Sequence, residues 1–302
     1  MSTSTAVDTD GPAPFDPVRT ANQLAKQIDE LTAQRDAARE AAYAAAKQVL
    51  AGLPMTPQVA PAPAAAPWMV AMRWDCPARG FHDKAGGVGV LIGDRHVLTA
   101  AHHFDATLPV PPELENDPTF VPLGQRKRFV HIGAFTPGGG ERYEIVDVRT
   151  PGFDNATAYG GAAVAMNDIA VVILDRPVPQ APVRRASTPA AVGDTVRLLG
   201  VTPQVSDARK LVQVETCAID PAAGAGHQRD DEFCVANTAG PVQIDAGFSG
   251  AGLIRLTDSD EVELLGVCTR GAGGIPDLAS PPVIVVDIVV AHAQFLADAL
   301  RS

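Results

Sequence analysis

The stretch Asp245-Ala246-Gly247-Phe248-Ser249-Gly250-Ala251-Gly252 runs straight into the apolar pair Leu253-Ile254. It sets one serine in a glycine turn at the head of an apolar run. A serine hydroxyl is a poor nucleophile until a base removes its proton. The oxyanion formed when it attacks a carbonyl needs backbone N–H donors. Glycines on both sides of Ser249 permit a sharp turn with no side chain crowding those donors. Alone, the stretch reads first as an ordinary Gly/Ser connection between strands. Its chemistry depends on what the rest of the chain supplies.

Two distant stretches supply it. Gly87-Val88-Gly89-Val90-Leu91-Ile92-Gly93 reads as a short apolar strand, Gly93-Asp94 as a turn, and Val97-Leu98-Thr99-Ala100-Ala101 as a second apolar run that ends in His102-His103. Far downstream, Asn167-Asp168 stands before Ile169-Ala170-Val171-Val172-Ile173-Leu174, one carboxylate at the mouth of an apolar strand. A histidine after one buried strand, an aspartate before another and a serine in a glycine turn are the parts of an activated nucleophile. His102 is the candidate general base, because an imidazole exchanges protons near neutrality. Asp168 is the candidate that fixes its tautomer and stabilises the imidazolium. His82, His96, His103, His131, His227 and His292 read as satisfied core or surface residues.

Taken together, Leu98-Thr99-Ala100-Ala101-His102, Asn167-Asp168-Ile169-Ala170 and Gly247-Phe248-Ser249-Gly250 resemble the three signature motifs of the chymotrypsin/trypsin-like serine proteases. They come in that family's order, with 66 and 81 residues between the three candidate side chains. The resemblance covers roughly residues 68 to 302. It implies an all-β fold of two six-stranded antiparallel barrels with a C-terminal helix packed on the second. It implies a serine endopeptidase acting on protein or peptide substrates through His102, Asp168 and Ser249, with no cofactor and no metal. The oxyanion hole it implies is built from the backbone N–H groups of Gly247 and Ser249. By the same resemblance Gln243 floors the pocket for the side chain preceding the scissile bond. Neither it nor Ile244 is charged, so an uncharged substrate side chain is expected there. Thr269 matches a position where the family often has a serine bonded to the catalytic aspartate, and Gly271 joins it among the substrate-binding residues.

The departures from the family pattern are informative. Phe248 stands where trypsin-like members usually carry an aspartate that pairs with a new amino terminus made by cleavage. No Ile-Val-Gly-Gly-like start precedes Trp68, so the chain is expected to work intact, without that switch. Ala251-Gly252 replaces the usual Gly-Pro. These departures keep open a second reading, a catalytically inactive protease fold used as a binding module; the presence of all three candidate residues argues against it. An α/β-hydrolase built on Gly247-x-Ser249 would need its acid and then its histidine after the serine. The only later histidine is His292, in a terminal helical stretch, and no alternating β/α pattern is present.

Composition narrows the partners. A 302-residue chain with 46% hydrophobic residues can bury one large core or two moderate ones. The net charge of −11, with no basic stripe, argues against nucleic acid and anionic membrane as partners. Residues 1 to 17 lack the basic start and apolar run of a secretory signal, and no apolar stretch is long enough to span a bilayer. A cytoplasmic protein is therefore expected. Cys76, Cys217, Cys234 and Cys268 form no C-x-x-C pair and no metal-ligand pattern. Secreted members of the resembled family usually bridge the cysteine that follows the catalytic histidine; here that position is His103. Cys217 and Cys234 stand where the family often has a bridged pair, but in a reducing compartment two buried thiols are expected.

The first 67 residues lie outside the resemblance. Residues 1 to 19 read as disordered. Thr20 and Gln23 form a capping-box pattern that starts a helix over 20–52. Leu24, Ile28, Leu31, Arg35, Ala38, Ala42, Ala45 and Val49 recur in alternating steps of four and three, a heptad seam weakened by Arg35 and by its alanines. A short coiled coil or docking helix for a regulatory partner, and a solitary Ala-rich helix, both fit. Residues 53–67 read as a Pro/Ala-rich extended linker with neither helix nor sheet. Beyond it, short apolar runs predict strands at 68–75, 87–92, 95–99, 129–132, 143–149, 168–174, 195–201, 210–218, 251–256, 262–268 and 282–286. Residues 107–122 and 150–166 read as long surface loops, and Asp287 to Leu300 as a capped helix.

Overall fold

A computed structural model describes residues 23, 26, 27, 30, 34, 59–61, 66–106, 121–134, 139–153, 167–191, 193–201, 211–219, 231–237, 248–257, 259, 261–271 and 283–301. Its strands are β1 (Val59–Pro61), β2 (Met69–Cys76), β3 (Phe81–Leu91), β4 (His96–Thr99), β5 (Lys127–Ile132), β6 (Glu141–Arg149), β7 (Ala170–Leu174), β8 (Arg184–Arg185), β9 (Thr195–Val201), β10 (Leu211–Ile219), β11 (Glu232–Asn237), β12 (Gly252–Leu256), β13 (Val262–Gly271) and β14 (Val283–Asp287). Every strand predicted from an apolar run is present. The runs at β4 and β7 are buried along their whole length, which is why they carry no polar alternation.

Six strands close a barrel in the order β2-β3-β4-β7-β6-β5, antiparallel throughout. The other eight form a second sheet, β1-β10-β11-β14-β13-β12-β9, with β8 beside β13. In it β9 pairs with β10 as well as with β12. One continuous hydrophobic core joins the two units, from Val70, Leu91 and Val172 of the barrel to Leu198, Leu264 and Val285 of the second sheet.

Three features depart from the sequence expectation. Val59–Pro61, inside the expected linker, pairs with Val212–Val214 of β10. Its proline, Pro61, stays compatible because β1 lies at the sheet edge, where a missing N–H goes unnoticed. The C-terminal helix begins only at Ala293 and ends at Ala299. Asp287 ends β14 instead, and its carboxylate accepts the N–H groups of Val289 and Val290 at 2.7 and 3.1 Å. That local turn, followed by a β-branched Ile-Val-Val run, postpones the helix. Nor is the helix confined to the second sheet. Leu296 and Ala299 are buried in the shared core, while Leu300 lies against Gly93 in the β3–β4 turn of the barrel.

Gln23, Lys26, Gln27, Glu30 and Gln34 are helical and exposed, with Lys26 and Glu30 paired at 3.8 Å. The seam residues Leu24 to Val49 lie outside the described residues, as do residues 107–120 and 154–166 of the expected loops. Cys76, Cys234 and Cys268 are buried. Among the described residues no helix is long and apolar enough to cross a membrane.

Candidate active site

The register of β4 against β7 builds the first half of the site. Thr99 pairs with Ala170 in antiparallel neighbours, so the exit of β4 lies beside the entrance of β7. A short 3-10 turn, Ala101–Phe104, follows β4 and carries His102. Asp168 sits two residues before β7. The 66 residues between them in sequence thus collapse to a direct contact: Asp168 Oδ2 meets His102 Nδ1 at 2.8 Å, and Asp168 Oδ1 accepts the His102 backbone N–H at 2.8 Å. Both carboxylate oxygens are spent on one residue, which fixes the ring's position and orientation. Asp168 is 3% exposed.

Asn167 explains how the carboxylate is aimed. Its φ of 53° lies in the left-handed region, which asparagine tolerates better than most residues. Its side-chain Nδ2 donates to the Gly152 carbonyl at 3.2 Å, and its own carbonyl accepts the Ile169 N–H at 2.7 Å. The reversal turns Asp168 out of the line of β7 and toward His102.

Ser249 comes from the second sheet, in the turn that leads into β12. The turn is pinned on its own side by Gly250 N–H to Cys268 O at 2.7 Å, Cys268 N–H to Ala251 O at 2.8 Å and Ala251 N–H to Phe248 O at 2.8 Å. It is pinned on the barrel side through the Ser249 carbonyl, which accepts the Val88 N–H at 3.1 Å and lies 3.2 Å from His103 Nε2. Gly250 has φ 84°, and a Cβ there would collide with the Val88 carbonyl and the Thr99 hydroxyl. Only glycine lets the two units approach this closely. The Thr99 hydroxyl in turn donates to the Val88 carbonyl at 2.7 Å. Phe248 is 2% exposed, and its ring covers Gly200 of β9 so closely that any Cβ at Gly200 would strike it.

The structure therefore brings His102, Asp168 and the Ser249 turn to one place. Among the described residues the hydrogen bonds of the site join Asp168 to His102 and His103 to the Ser249 carbonyl; none joins the Ser249 hydroxyl to His102. Such bonds often form only once substrate is bound. Thr269 is buried on β13 beside Cys268, whose backbone holds the serine turn, and Gly271 ends that strand opposite Val283. Gln243, Ile244 and Gly247 lie outside the described residues. Among the described residues no cluster of three or more His, Cys, Asp or Glu suits a metal ion.

Two contributors to the site went unread in the sequence. Val88 and His103 hold the Ser249 carbonyl although neither belongs to a triad pattern. The glycines flanking Val88 were the available signal, since glycine within a strand marks a close backbone approach. The electrostatics around His103 are distinctive. Its pKa lies well below the ordinary imidazole value, first because the ring is buried, then because His102 and Arg128 add positive charge nearby. Arg128, desolvated and beside Arg126, is itself lowered to about 9.

A model of the Trypsin family matches residues 58–285. The chain belongs to the trypsin-like serine protease family. The match begins one residue before β1, so this trypsin-family domain includes the edge strand taken from the Pro/Ala-rich segment. The domain is similar to a solved structure of kallikrein-related peptidase 10 in complex with Zn2+, at 18% identity and a TM-score of 0.54, covering 78% of this chain and 97% of that one. It is similar also to neuropsin, a serine protease expressed in the limbic system of mouse brain, at 18% identity and a TM-score of 0.55, covering 78% and 95%. At that identity the two likenesses speak for the fold of the trypsin-family domain. No curated protein matches the chain.

Proposed function

We propose that this trypsin-family chain is a serine endopeptidase, with His102, Asp168 and Ser249 as its catalytic residues. The observation that carries the reading is the pair of 2.8 Å bonds from Asp168 to the ring and the backbone of His102. They leave Nε2 as the ring atom free to take a proton. In the first step the Ser249 hydroxyl oxygen attacks the peptide carbonyl carbon while its proton passes to His102 Nε2. The resulting oxyanion is received by the backbone N–H groups of Gly247 and Ser249. The tetrahedral species collapses to an acyl-enzyme as His102 returns that proton to the leaving amine. Water then repeats the sequence and releases the acid. In this reading the strands β9-β10-β11-β14-β13-β12 form the family's second barrel, closed by the β9–β10 pairing. Gln243 and Ile244 select an uncharged side chain before the scissile bond, with Thr269 and Gly271 lining the same groove. The helix over 20–52 docks a regulatory partner or a second copy.

The test is labelling of the full chain by a fluorophosphonate probe together with hydrolysis of a peptide library. Ser249→Ala is expected to fold normally, to lose labelling and to lose about 10⁴- to 10⁶-fold in kcat. Wild-type turnover by that variant would overturn the assignment. A second reading, a protease fold that only binds peptides, is favoured by one observation: the site's hydrogen bonds do not include one from the Ser249 hydroxyl to His102. It predicts peptide binding with no labelling of wild-type protein.

A further inference from the structure

His102 and His103 are consecutive in one 3-10 turn, yet they face different partners. The ring of His102 meets Asp168, while that of His103 meets the Ser249 carbonyl. A carbonyl oxygen only accepts, so the second bond requires the proton of His103 on Nε2. The space for this ring is made by Gly87, with φ 119°, where a Cβ would come within 2.6 Å of both Cε1 and Nε2. The next residue, Val88, supplies the other donor to the same carbonyl. One dipeptide of β3 thus both clears room for the imidazole and shares its acceptor.

We propose that His103 is a positioning residue, whose imidazole ties the turn bearing the nucleophile to the turn bearing the base. The inference rests on Ser249 and His102 acting as nucleophile and base. With the tie in place, a single four-residue turn sets the location of both reacting groups. The two rings lie 4.6 Å apart between centroids, so a proton gained by His102 in turnover puts a cation directly beside His103. Burial and the positive charges of His102, Arg128 and Arg126 all keep His103 neutral, opposed only by its bond to Ser249. The tie therefore adds no repulsion when the imidazolium forms.

Three full-length proteins test this: wild type, His103→Leu, which removes the donor, and His103→Gln, which restores an amide N–H at similar reach. His103→Leu is expected to lower kcat about ten- to hundred-fold with KM unchanged, as for a misplaced reacting group. The rate of fluorophosphonate labelling should fall in parallel, and His103→Gln should recover most of both. Wild-type kcat in a folded His103→Leu protein overturns the proposal, as does a folded His103→Gln protein that is no better. Should the leucine variant fail to fold, ¹⁵N spectroscopy of the wild-type imidazoles decides. A neutral ring protonated on Nε2 is expected for His103, whereas the Nδ1 tautomer overturns the proposal. That spectrum needs no activity, so failure of the protease reading, in which wild type neither labels nor hydrolyses, is seen separately.

Discussion

In the barrel, His102 and Asp168 sit just beyond the ends of two paired strands, β4 and β7, and hold each other. Both Asp168–His102 contacts lie between residues of the barrel half. The Ser249 turn is different. Its own sheet supplies three backbone bonds through Cys268, Ala251 and Phe248, but the Ser249 carbonyl is held by Val88 and His103 of the barrel. The barrel thus prepares its part alone, and the second sheet prepares its part only when docked against the barrel. The glycine at 250 is what makes that docking close, since a Cβ there would meet the Val88 carbonyl and the Thr99 hydroxyl. This division predicts that changes within the Asp168–His102 pair act on chemistry, and changes where the serine turn is held act on chemistry and stability together.

Asp168→Asn gives the largest effect and tests the barrel half by itself. The amide keeps the shape but favours the wrong ring tautomer, so kcat is expected to fall about 10⁴-fold with little change in melting temperature. Near-normal turnover would mean that another group orients His102. Phe248→Asp tests the other half. It would put a charge against Gly200 and β9 where a phenyl ring now contributes roughly 1.5–3 kcal/mol by its burial. Both activity and stability should drop, the latter by several kcal/mol. Chemical denaturation and peptide turnover on the same preparation check the pairing. A variant that lost activity alone would break the contrast between the halves. A gain in activity would reveal an amine partner for the new carboxylate.

The barrel was also the more legible half. Leu98 to His102 and Asp168 to Leu174 announce themselves because fully buried strands carry unbroken apolar runs, and the candidate site residues lie next to those runs. β11 was missed because Glu232-Phe233-Cys234-Val235-Ala236-Asn237 is short and flanked by polar residues, with little to distinguish it from a loop. β1 was missed for a related reason: prolines argue against a strand, and only the open edge of β10 makes Val59–Pro61 acceptable. His103 reads as a satisfied core residue and is buried as one; that its partner is the Ser249 carbonyl depends on Gly87 and on the second sheet, neither of which a local pattern contains. Asp287 promised a helix start and delivered a turn, since an aspartate caps either.

The edge strand sharpens where the domain begins. Removing residues 1–57 spares β1, whereas removing 1–67 takes away both β1 and Ala66, whose carbonyl accepts the Met69 N–H at 3.0 Å. The longer deletion is expected to remain folded but to lose about 1–3 kcal/mol, a few net backbone hydrogen bonds. The shorter one should match the full chain in urea denaturation. Equal stability of the two truncated proteins would show that β1 adds nothing to the second sheet.

The smallest expected effect is a slope. The His103 ring in the folded protein has its pKa held well below 6.5, chiefly by burial and then by the charges of His102 and Arg128. The unfolded chain takes up that proton as the pH falls through the ordinary imidazole range, while the native state does not. Between the folded value and 6.5 the unfolded state therefore binds more protons, and stability falls with falling pH. Above that range both states are neutral and His103 contributes no slope. One such proton changes stability by at most about 1.4 kcal/mol per pH unit. Since other groups titrate too, the quantity to measure is the difference between wild type and His103→Gln, each melted at several pH values between about 8 and about 5. The wild type should lose stability faster on the acid side, and the two curves should run parallel above the imidazole range. Parallel curves throughout would mean that His103 protonates in the native state as readily as in the unfolded one. An imidazolium still donates its Nε2–H to the Ser249 carbonyl, so that outcome removes the slope and leaves the tie in place.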